Sequence, residues 1–376
     1  MITRKSFFFA CLAYFVVTEA HKCTNVDEFW RVNAAFLMGE SYLSILNRVP
    51  LKKTPAYRIY ETKYSGRPAA LQVWEIEFKN QRDRFDIMLD NYDILKEVTG
   101  IVKIHGCFTS KTNNCVFTER LYGSLNLKNA NLFQLPLITH VDIYTKVSDT
   151  LCQVHKKNLI WGNINPKSIK FVDFESAEPK LADLTYITRE EDYLIASDIV
   201  TKAPELFFTQ IISTKGLNRK SLDVYSWGIT IAVSENGELY EKIHKILAKA
   251  TFMSSGLPFD AYFKIVESVE SALANTNKAL KAIILSAISY ESDLRPTMEE
   301  ISAQLKTLSY CIQSNISFES HIMRSYYESL VRGSADMENS EFGEIYNALL
   351  KIIKKYVGEI PLELSISDLQ PKSVPA

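Results

Sequence analysis

The amino-acid sequence predicts an α+β fold with two lobes, a small strand-rich lobe followed by a larger helical one. Residues 51–119 alternate apolar and polar positions and are rich in β-forming residues, with one helical stretch among them. Residues 120–312 carry apolar residues at the spacing of successive helices. Hydrophobic residues make up 47% of the 376, which is enough to fill a core of this size.

The composition excludes several classes of protein. Lys and Arg number 43 and Asp and Glu number 44, so the net charge of −1 argues against nucleic-acid binding through bulk charge. Gly and Pro are sparse, at 13 and 12, which excludes collagen-like and low-complexity chains. Beyond the N-terminus no segment has the roughly 18 uninterrupted apolar residues of a spanning helix, so we expect no membrane span there.

The first twenty residues follow the pattern of a secretory signal peptide. Arg4 and Lys5 give a positive start, residues 6–17 contain no charge, and small residues precede a cleavage site before His21. A buried first element and an uncleaved anchor are the alternatives. We therefore expect the mature chain in the secretory pathway, either secreted or in the lumen of a secretory organelle.

The remaining elements are predicted from periodicity, in chain order. Residues 21–50 form a helical extension, and residues 51–119 form the strand-rich lobe. Its strands are expected at 57–60, 69–78, 101–108 and 115–119, with a helix at 83–98. The helices of the second lobe, residues 120–312, are expected at 138–155, 221–233, 238–250, 259–274, 277–289 and 298–312. Residues 313–376 form a helical tail, because residues 343–358 are amphipathic.

The cysteines favour an oxidising compartment and give no sign of a metal site. Cys107 and Cys115 flank a polar turn in a predicted hairpin, so we expect a cross-strand disulfide, with two separate thiols as the alternative. The chain has no Cys-x-x-Cys pair and its six His are scattered, so a zinc site is not expected.

Five short motifs follow one another in the second lobe. They are His155 to Ile160 with Pro166 and Ile169-Lys170-Phe171, Lys180 to Thr185 with its central Asp183, Ala203-Pro204-Glu205, Asp223 to Gly228, and Arg295-Pro296-Thr297. Any one of these motifs is weak evidence by itself. In this order and at these separations they resemble the protein kinase superfamily over residues 51–312.

The resemblance implies roles for three architectural residues. It implies that Glu205 and Arg295 form an ion pair that ties the segment after Asp183 to the helical lobe. It also implies that Asp223 hydrogen-bonds the backbone of the loop around residue 163 from beneath. Outside such a constellation, a lone Arg and a lone Glu ninety residues apart would be ordinary surface charges.

The positions that carry phosphoryl transfer in this family have changed. Transfer needs a glycine loop, a third-strand Lys paired with a helix Glu, a catalytic Asp and metal ligands. No Gly occurs between Gly39 and Gly66, where the phosphate loop belongs. The Lys, the helix Glu, the catalytic Asp and the catalytic-loop Lys align with Gln72, Asn91, Asn163 and Asn165. In a shifted register of the helix, the Glu position falls on Asp90 or Asp93 instead. An amide is not a base at neutral pH, so the resemblance implies a degenerate member without a catalytic residue.

A nucleotide site is the part of the family's machinery that the sequence leaves open. The resemblance implies that Ile59 and Ala70 wall an adenine slot beside the segment 119–121. It also implies that Asp183 is a metal ligand, with Ser168 as a weak hydroxyl ligand. We expect no cofactor, and the alternative is ATP or ADP with Mg²⁺. Tyr57 is expected to project into the space for the phosphates.

Three hypotheses of function follow. The first is a secreted or luminal pseudokinase that acts as a protein-binding scaffold or allosteric regulator, whose partner is an active kinase or a host or luminal protein. The second is a divergent secretory-pathway kinase with a rebuilt site, in which a displaced lysine such as Lys63, Lys79 or Lys103 reaches the cleft. The third is a structural luminal protein.

Overall fold

The computed structural model describes residues 42–53, 57–75, 79–109, 113–125, 135–173, 177–189, 198–208, 218–250 and 259–313. Within them the chain is an α+β protein, with a five-stranded antiparallel sheet in its first part and helices in its second. The predicted signal peptide, most of the residues 21–50 and the tail after residue 313 lie outside these ranges. No helix in the described part is long and apolar enough to cross a membrane.

The sheet is built from hairpins whose order in space is β1-β2-β3-β5-β4. Its strands are β1 (Lys52–Lys53), β2 (Tyr57–Tyr64), β3 (Arg67–Glu75), β4 (Ile104–Thr109) and β5 (Asn113–Glu119). The turn between β2 and β3 has only Ser65 and Gly66, and both adopt positive φ, of 49° and 79°. Two such residues form the tight turn whose twist matches antiparallel strands. Four of these strands match the predicted ones, while the two-residue β1 was not expected.

Both faces of the sheet are covered by apolar side chains. One face packs against the helix α2 (Lys79–Leu95), with Trp74 of β3 and Phe85 of α2 in edge-to-face contact. The other face, which includes Tyr60 and Phe117, packs against Ile45 of the short helix α1 (Tyr42–Leu46). The described end of the predicted N-terminal extension therefore lies against the sheet.

The predicted disulfide between Cys107 and Cys115 is wrong. Cys107 is disulfide-bonded, whereas Cys115 is a buried thiol. The register explains the error, because Cys107 lies opposite Val116 and Cys115 lies opposite Phe108. Neighbouring residues of a strand point to opposite faces, so the two sulfur atoms lie on different sides of the sheet.

In the described residues, the second part of the chain consists mainly of helices, with two short strand pairs. Its helices are α3 (Leu137–Lys156), α4 (Lys220–Glu235), α5 (Leu239–Lys249), α6 (Phe259–Ala272), α7 (Lys278–Ala287) and α8 (Met298–Gln313). Its strands are β6 (Leu159–Ile160), β7 (Ile169–Phe171), β8 (Pro179–Leu181) and β9 (Thr188–Arg189), which pair as β6 with β9 and β7 with β8. All six helices were predicted to within a few residues of these bounds.

The helix α4 is the centre of this part. Fourteen of its sixteen residues, from Ser221 to Ser234, are buried, so it is surrounded by protein on all sides. A helix that is apolar nearly all round is a core helix, and its few buried polar groups need partners. Asp223 is one of these groups, and its partners form part of the candidate site.

Backbone hydrogen bonds join the sheet to the helical part at the edge of β8. The N–H of Val102 donates to the carbonyl of Leu181, and the N–H of Leu181 donates to the carbonyl of Gly100. On the other side of a cleft, Tyr122 and Phe171 exchange two backbone hydrogen bonds of 2.8 and 3.0 Å. The segment from β5 to residue 125 therefore forms one wall of the cleft.

Candidate functional site

Asp223 holds the loop after β6 through hydrogen bonds to its backbone. Its carboxylate is 1% exposed and accepts from the N–H of Trp161 at 2.7 Å and the N–H of Gly162 at 2.9 Å. It also accepts from Nε2 of His155 at 2.9 Å. Three donors compensate the cost of burying this charge, so the loop has one fixed position over α4. This is the contact expected of Asp223.

The same loop contains a position that only glycine can occupy. Gly162 has a φ of +76°, and a Cβ atom there would lie 2.6 Å from the carbonyl oxygen of Tyr186. A side chain would therefore collide with backbone, which cannot move aside as a flexible side chain can. The loop after β6 and the segment at Tyr186 are consequently in direct contact.

Arg295 and Glu205 form the predicted ion pair, and the pair is bidentate. Nη1 and Nη2 of Arg295 donate to the two carboxylate oxygens of Glu205 at 2.6 and 2.8 Å. The remaining donors of the guanidinium bind the carbonyl oxygens of Ser289, Ser221 and Tyr290 at 2.8 to 3.1 Å. The Arg295 side chain has no exposed surface, so every donor of a buried cation is used.

Asn163 and Asn165 bind each other and their own loop. Nδ2 of Asn165 donates to Oδ1 of Asn163 at 3.0 Å, and the N–H of Asp198 donates to the same oxygen at 3.2 Å. Oδ1 of Asn165 accepts from the N–H groups of Lys167 and Ser168 at 2.9 and 3.1 Å. Both side chains are 6% exposed, so these amides stabilise the loop.

Ser168 is fully engaged within that loop. Its hydroxyl accepts from the N–H of Asn165 at 3.0 Å and donates to the carbonyl of Asn165 at 2.8 Å. The residue is 2% exposed. The hydroxyl is buried within its own loop, so the geometry does not favour Ser168 as a metal ligand.

Asp183 lies at the end of β8, where Tyr57 and Lys52 cover it. The Tyr57 hydroxyl donates to Oδ2 of Asp183 at 3.1 Å, and Nζ of Lys52 is 3.6 Å from the same oxygen. Nζ of Lys52 also donates to the Tyr57 hydroxyl at 3.2 Å. Burial, followed by the charge of Asp183, raises the pKa of Tyr57 well above its ordinary value, so the phenol keeps its proton.

Gln72 and Asn91 do not form a pair. Nδ2 of Asn91 donates instead to the backbone carbonyl of Ile187 at 2.7 Å and is buried there. Gln72 lies on β3 opposite Ile59 and lines the cleft. The helix α2 is thus attached to the segment after Asp183 by the amide of Asn91, and the β3 position that corresponds to the family's lysine is the uncharged Gln72.

The cleft encloses a cavity of about 610 Å³, within the range of small-molecule sites. Ile59 and Ala70 both line it, as the prediction of an apolar slot requires, together with Val102 and Leu121. Three cationic side chains also line it, namely those of Lys52, Arg120 and Lys170. The slot therefore combines apolar side chains with three cations and the carboxylate of Glu119.

Lys170 enters this cavity from the middle of β7. Burial, followed by the positive charges of Lys52 and Arg120, lowers the pKa of Lys170 to about 8. Among the residues that the structure describes, no carboxylate lies within ion-pair distance of its ammonium group. A half-buried cation in such a cleft costs stability and is a candidate for function.

We expect that Lys170→Met stabilises the protein by about 1–2 kcal/mol at pH 7. The folded pKa lies below the unfolded one, so the penalty is complete below about pH 8 and disappears as pH rises through the unfolded pKa. Urea unfolding at pH 7 and pH 10 measures the difference, which should shrink at the higher pH. The exposed Lys103 provides the control, because Lys103→Met should change stability little at either pH.

No protein-family model matches this chain, and no curated protein matches it. Functional inference therefore depends on the geometry of the cleft and of the loop after β6. The described residues contain no cluster of three or more His, Cys, Asp and Glu side chains that could hold a metal ion.

Sequence reasoning missed the three cations of the cavity. Lys52 lies in the stretch where the phosphate loop belongs, and its side chain reaches Asp183. The proposed Lys63 and Lys103 are not among the described residues that line the cavity, and the side chain of Lys79 lies outside the described part. One signal was available for Lys170, which stands between the apolar residues Ile169 and Phe171 in a short strand. A charged side chain between two buried apolar residues must reach solvent or a polar cavity, and Lys170 reaches the cleft.

Proposed function

We propose that this chain is a catalytically inactive member of the protein kinase superfamily, a secreted or luminal pseudokinase that acts by binding another protein. One observation carries the proposal. The amide oxygen of Asn163, at the position of the catalytic base, is buried and accepts hydrogen bonds from Asn165 of its own loop and from the backbone N–H of Asp198. An amide in that state neither accepts a proton from a substrate hydroxyl nor turns toward one.

The surroundings of Asp183 support the same conclusion. A magnesium ion that holds a nucleotide binds a carboxylate oxygen of the protein and oxygens of the phosphates together. Here Tyr57 and Lys52 contact Oδ2 of Asp183, and the N–H of Thr185 lies 3.4 Å from Oδ1. Removal of a single charge-stabilising group commonly costs about a hundredfold to a thousandfold in rate. Several such groups are absent together in this chain.

The architectural contacts support membership of the superfamily. Asp223 binds the backbone beneath the loop at residues 161–162, and Arg295 binds Glu205 across ninety residues. These are the contacts that the motif resemblance implies, and both lie in the helical part that follows the five-stranded sheet in the chain. A chain that keeps these contacts keeps the fold and its protein-binding surface, although it lacks the groups that catalyse phosphate transfer.

The disulfide at Cys107 supports a secretory location. Disulfides persist mainly in oxidising compartments, which is where the signal-like first twenty residues would direct the chain. The partner in this proposal is a protein of that compartment, such as an active kinase or a luminal or host protein.

A second candidate function, a divergent active kinase, has one observation in its favour. Nζ of Lys52 is 3.6 Å from Asp183, so a cation from β1 occupies the part of the cleft that the missing third-strand lysine would serve. A lysine can stabilise phosphate charge from either strand. In this candidate Asn163 would still have to be bypassed.

A thermal-shift titration of the mature chain with ATP and ADP, each with Mg²⁺, Mn²⁺ or EDTA, separates the two candidates. A ligand that binds only the native state must raise the melting temperature, and we expect no rise at millimolar nucleotide. We also expect no phosphate transfer to a protein substrate, and affinity capture should yield a stoichiometric complex.

Phosphate transfer to a protein substrate, together with a metal-dependent rise that disappears in Asp183→Asn and in Lys52→Met but persists in Lys103→Met, would overturn the inactive assignment. It would identify Lys52 as the displaced cation of an active enzyme. Lys103→Met is the matched control because it removes the same charge from an exposed position near the cleft.

A further inference from the structure

The charges around the cleft cavity nearly cancel in pairs. Lys52 is paired with Asp183, and Nε of Arg120 donates to Glu61 at 3.2 Å. Glu119, the lining carboxylate, is paired with Lys180 at 2.9 Å. These pairs leave no net charge on the wall.

Lys170 is the exception to this pairing. Among the described residues that line the cavity, its ammonium is the one charge without an opposite charge beside it. The positive charges of Lys52 and Arg120 act on it from within the same cavity. An anion that entered here would find one unit of uncompensated positive charge, and its binding would remove a cost that the empty protein carries.

Apolar side chains form the second part of the cavity lining. Val102, Ala70 and Leu121 are at most 9% exposed, and Ile59 extends the same surface. These side chains can cover an aromatic or aliphatic group of a ligand. A cavity of this volume suits a small organic molecule of about ten to thirty non-hydrogen atoms.

We propose that this cavity binds a small organic monoanion, with its acidic group against the Lys170 ammonium and its apolar body against Ile59, Val102 and Leu121. The inference does not depend on the resemblance to kinases, because it uses only the shape and the charges of the cavity. It differs from a nucleotide site in one respect. A triphosphate needs several unpaired cations or metal ions, and this wall has one.

Two fluorescent probes that differ by one charge test the proposal on the full mature chain. The first is 8-anilinonaphthalene-1-sulfonate, which has an apolar body and one sulfonate, and the second is the neutral N-phenyl-1-naphthylamine. We expect the sulfonate to bind with a stoichiometry of one. We expect the neutral probe to bind about tenfold more weakly or worse, because a hydrogen bond between charged groups contributes at least that factor.

Three variants assign the effect to Lys170. Lys170→Met removes the charge and keeps the chain length, so it should weaken the sulfonate about tenfold and leave the neutral probe as tight or tighter. Lys170→Arg keeps a cation and should stay within about threefold of the wild type. Lys103→Met, the exposed control, should change neither probe. Retained binding of the neutral probe shows that the cavity of Lys170→Met is intact.

Three results would overturn the proposal. Equal loss or equal retention of both probes in Lys170→Met would mean that the charge of Lys170 does not hold the acidic group. Displacement of the sulfonate by micromolar ATP with Mg²⁺ would show that the cavity is a nucleotide site. Failure of both probes to bind the wild-type chain would likewise overturn this proposal but would leave the inactive assignment intact, because phosphate transfer tests that assignment separately.

Discussion

Replacing Arg295 with Met is expected to lower the free energy of unfolding by about 3–5 kcal/mol. The change leaves the Glu205 carboxylate without its partner in a partly buried site. It also leaves the carbonyl oxygens of Ser289, Ser221 and Tyr290 without the donors that now bind them. Each buried group that loses its hydrogen bond costs about 1–3 kcal/mol, so the losses are large together.

Urea unfolding, monitored by circular dichroism, measures this change in stability. Two further variants serve as a conservative replacement and as a surface control. Arg295→Lys keeps the charge but lacks the planar fork, so it should still lose about 2 kcal/mol. Arg67→Met removes an arginine from an exposed position on β3 and should cost less than about 0.5 kcal/mol. A loss of under 1 kcal/mol in Arg295→Met would show that the buried pair contributes little to stability.

Asp223→Asn is expected to cost about 3 kcal/mol, although the side chain keeps its size. The carboxylate accepts on both oxygens, from Trp161 and His155 on one and from Gly162 on the other. An amide offers one oxygen, so its NH₂ group must face a backbone or ring N–H that has no other acceptor. At least one buried donor therefore loses its hydrogen bond, and the loop loses part of what holds it over α4.

The matched control for this prediction is Asp260→Asn on the surface of α6. Asp260 is mostly exposed, and its one described ion pair, with Lys264 at i+4, is long at 3.6 Å. Loss of its charge should therefore lower the free energy of unfolding by less than about 0.5 kcal/mol. Equal unfolding curves for the two Asn variants would contradict the role assigned to Asp223. Proteolysis at the loop around residues 161–162 gives a second readout, since a released loop should be cut faster.

The sequence predicted those parts of the molecule whose evidence lies in adjacent residues. Strand alternation located four strands of the sheet, and helical periodicity located α2 and the six helices of the second part. Asp223 and the pair of Glu205 with Arg295 were predicted because each belongs to a short motif of fixed spacing. Their geometry then follows from the positions of the elements that carry them.

The parts that escaped prediction depend on register and on long side chains. A hairpin pattern does not say whether Cys107 faces Cys115 or Val116, and a shift of one residue reverses the answer. Lys52 and Lys170 reach the cleft over four methylene groups from strands 118 residues apart in the chain, so no local pattern connects them. The cavity is a property of the assembled lobes.

The opposite facing of Cys107 and Cys115 imposes an order on oxidative maturation. Once β4 and β5 have paired, the sulfur of Cys115 is sealed with Phe108 and Phe117 on the far side of the sheet, with no exposed surface. Oxidants and other thiolates reach only chains in which this pairing has not yet occurred. Sheet formation therefore decides which of the two thiols is oxidised, and a mispaired bond between them marks a chain that was oxidised before it folded.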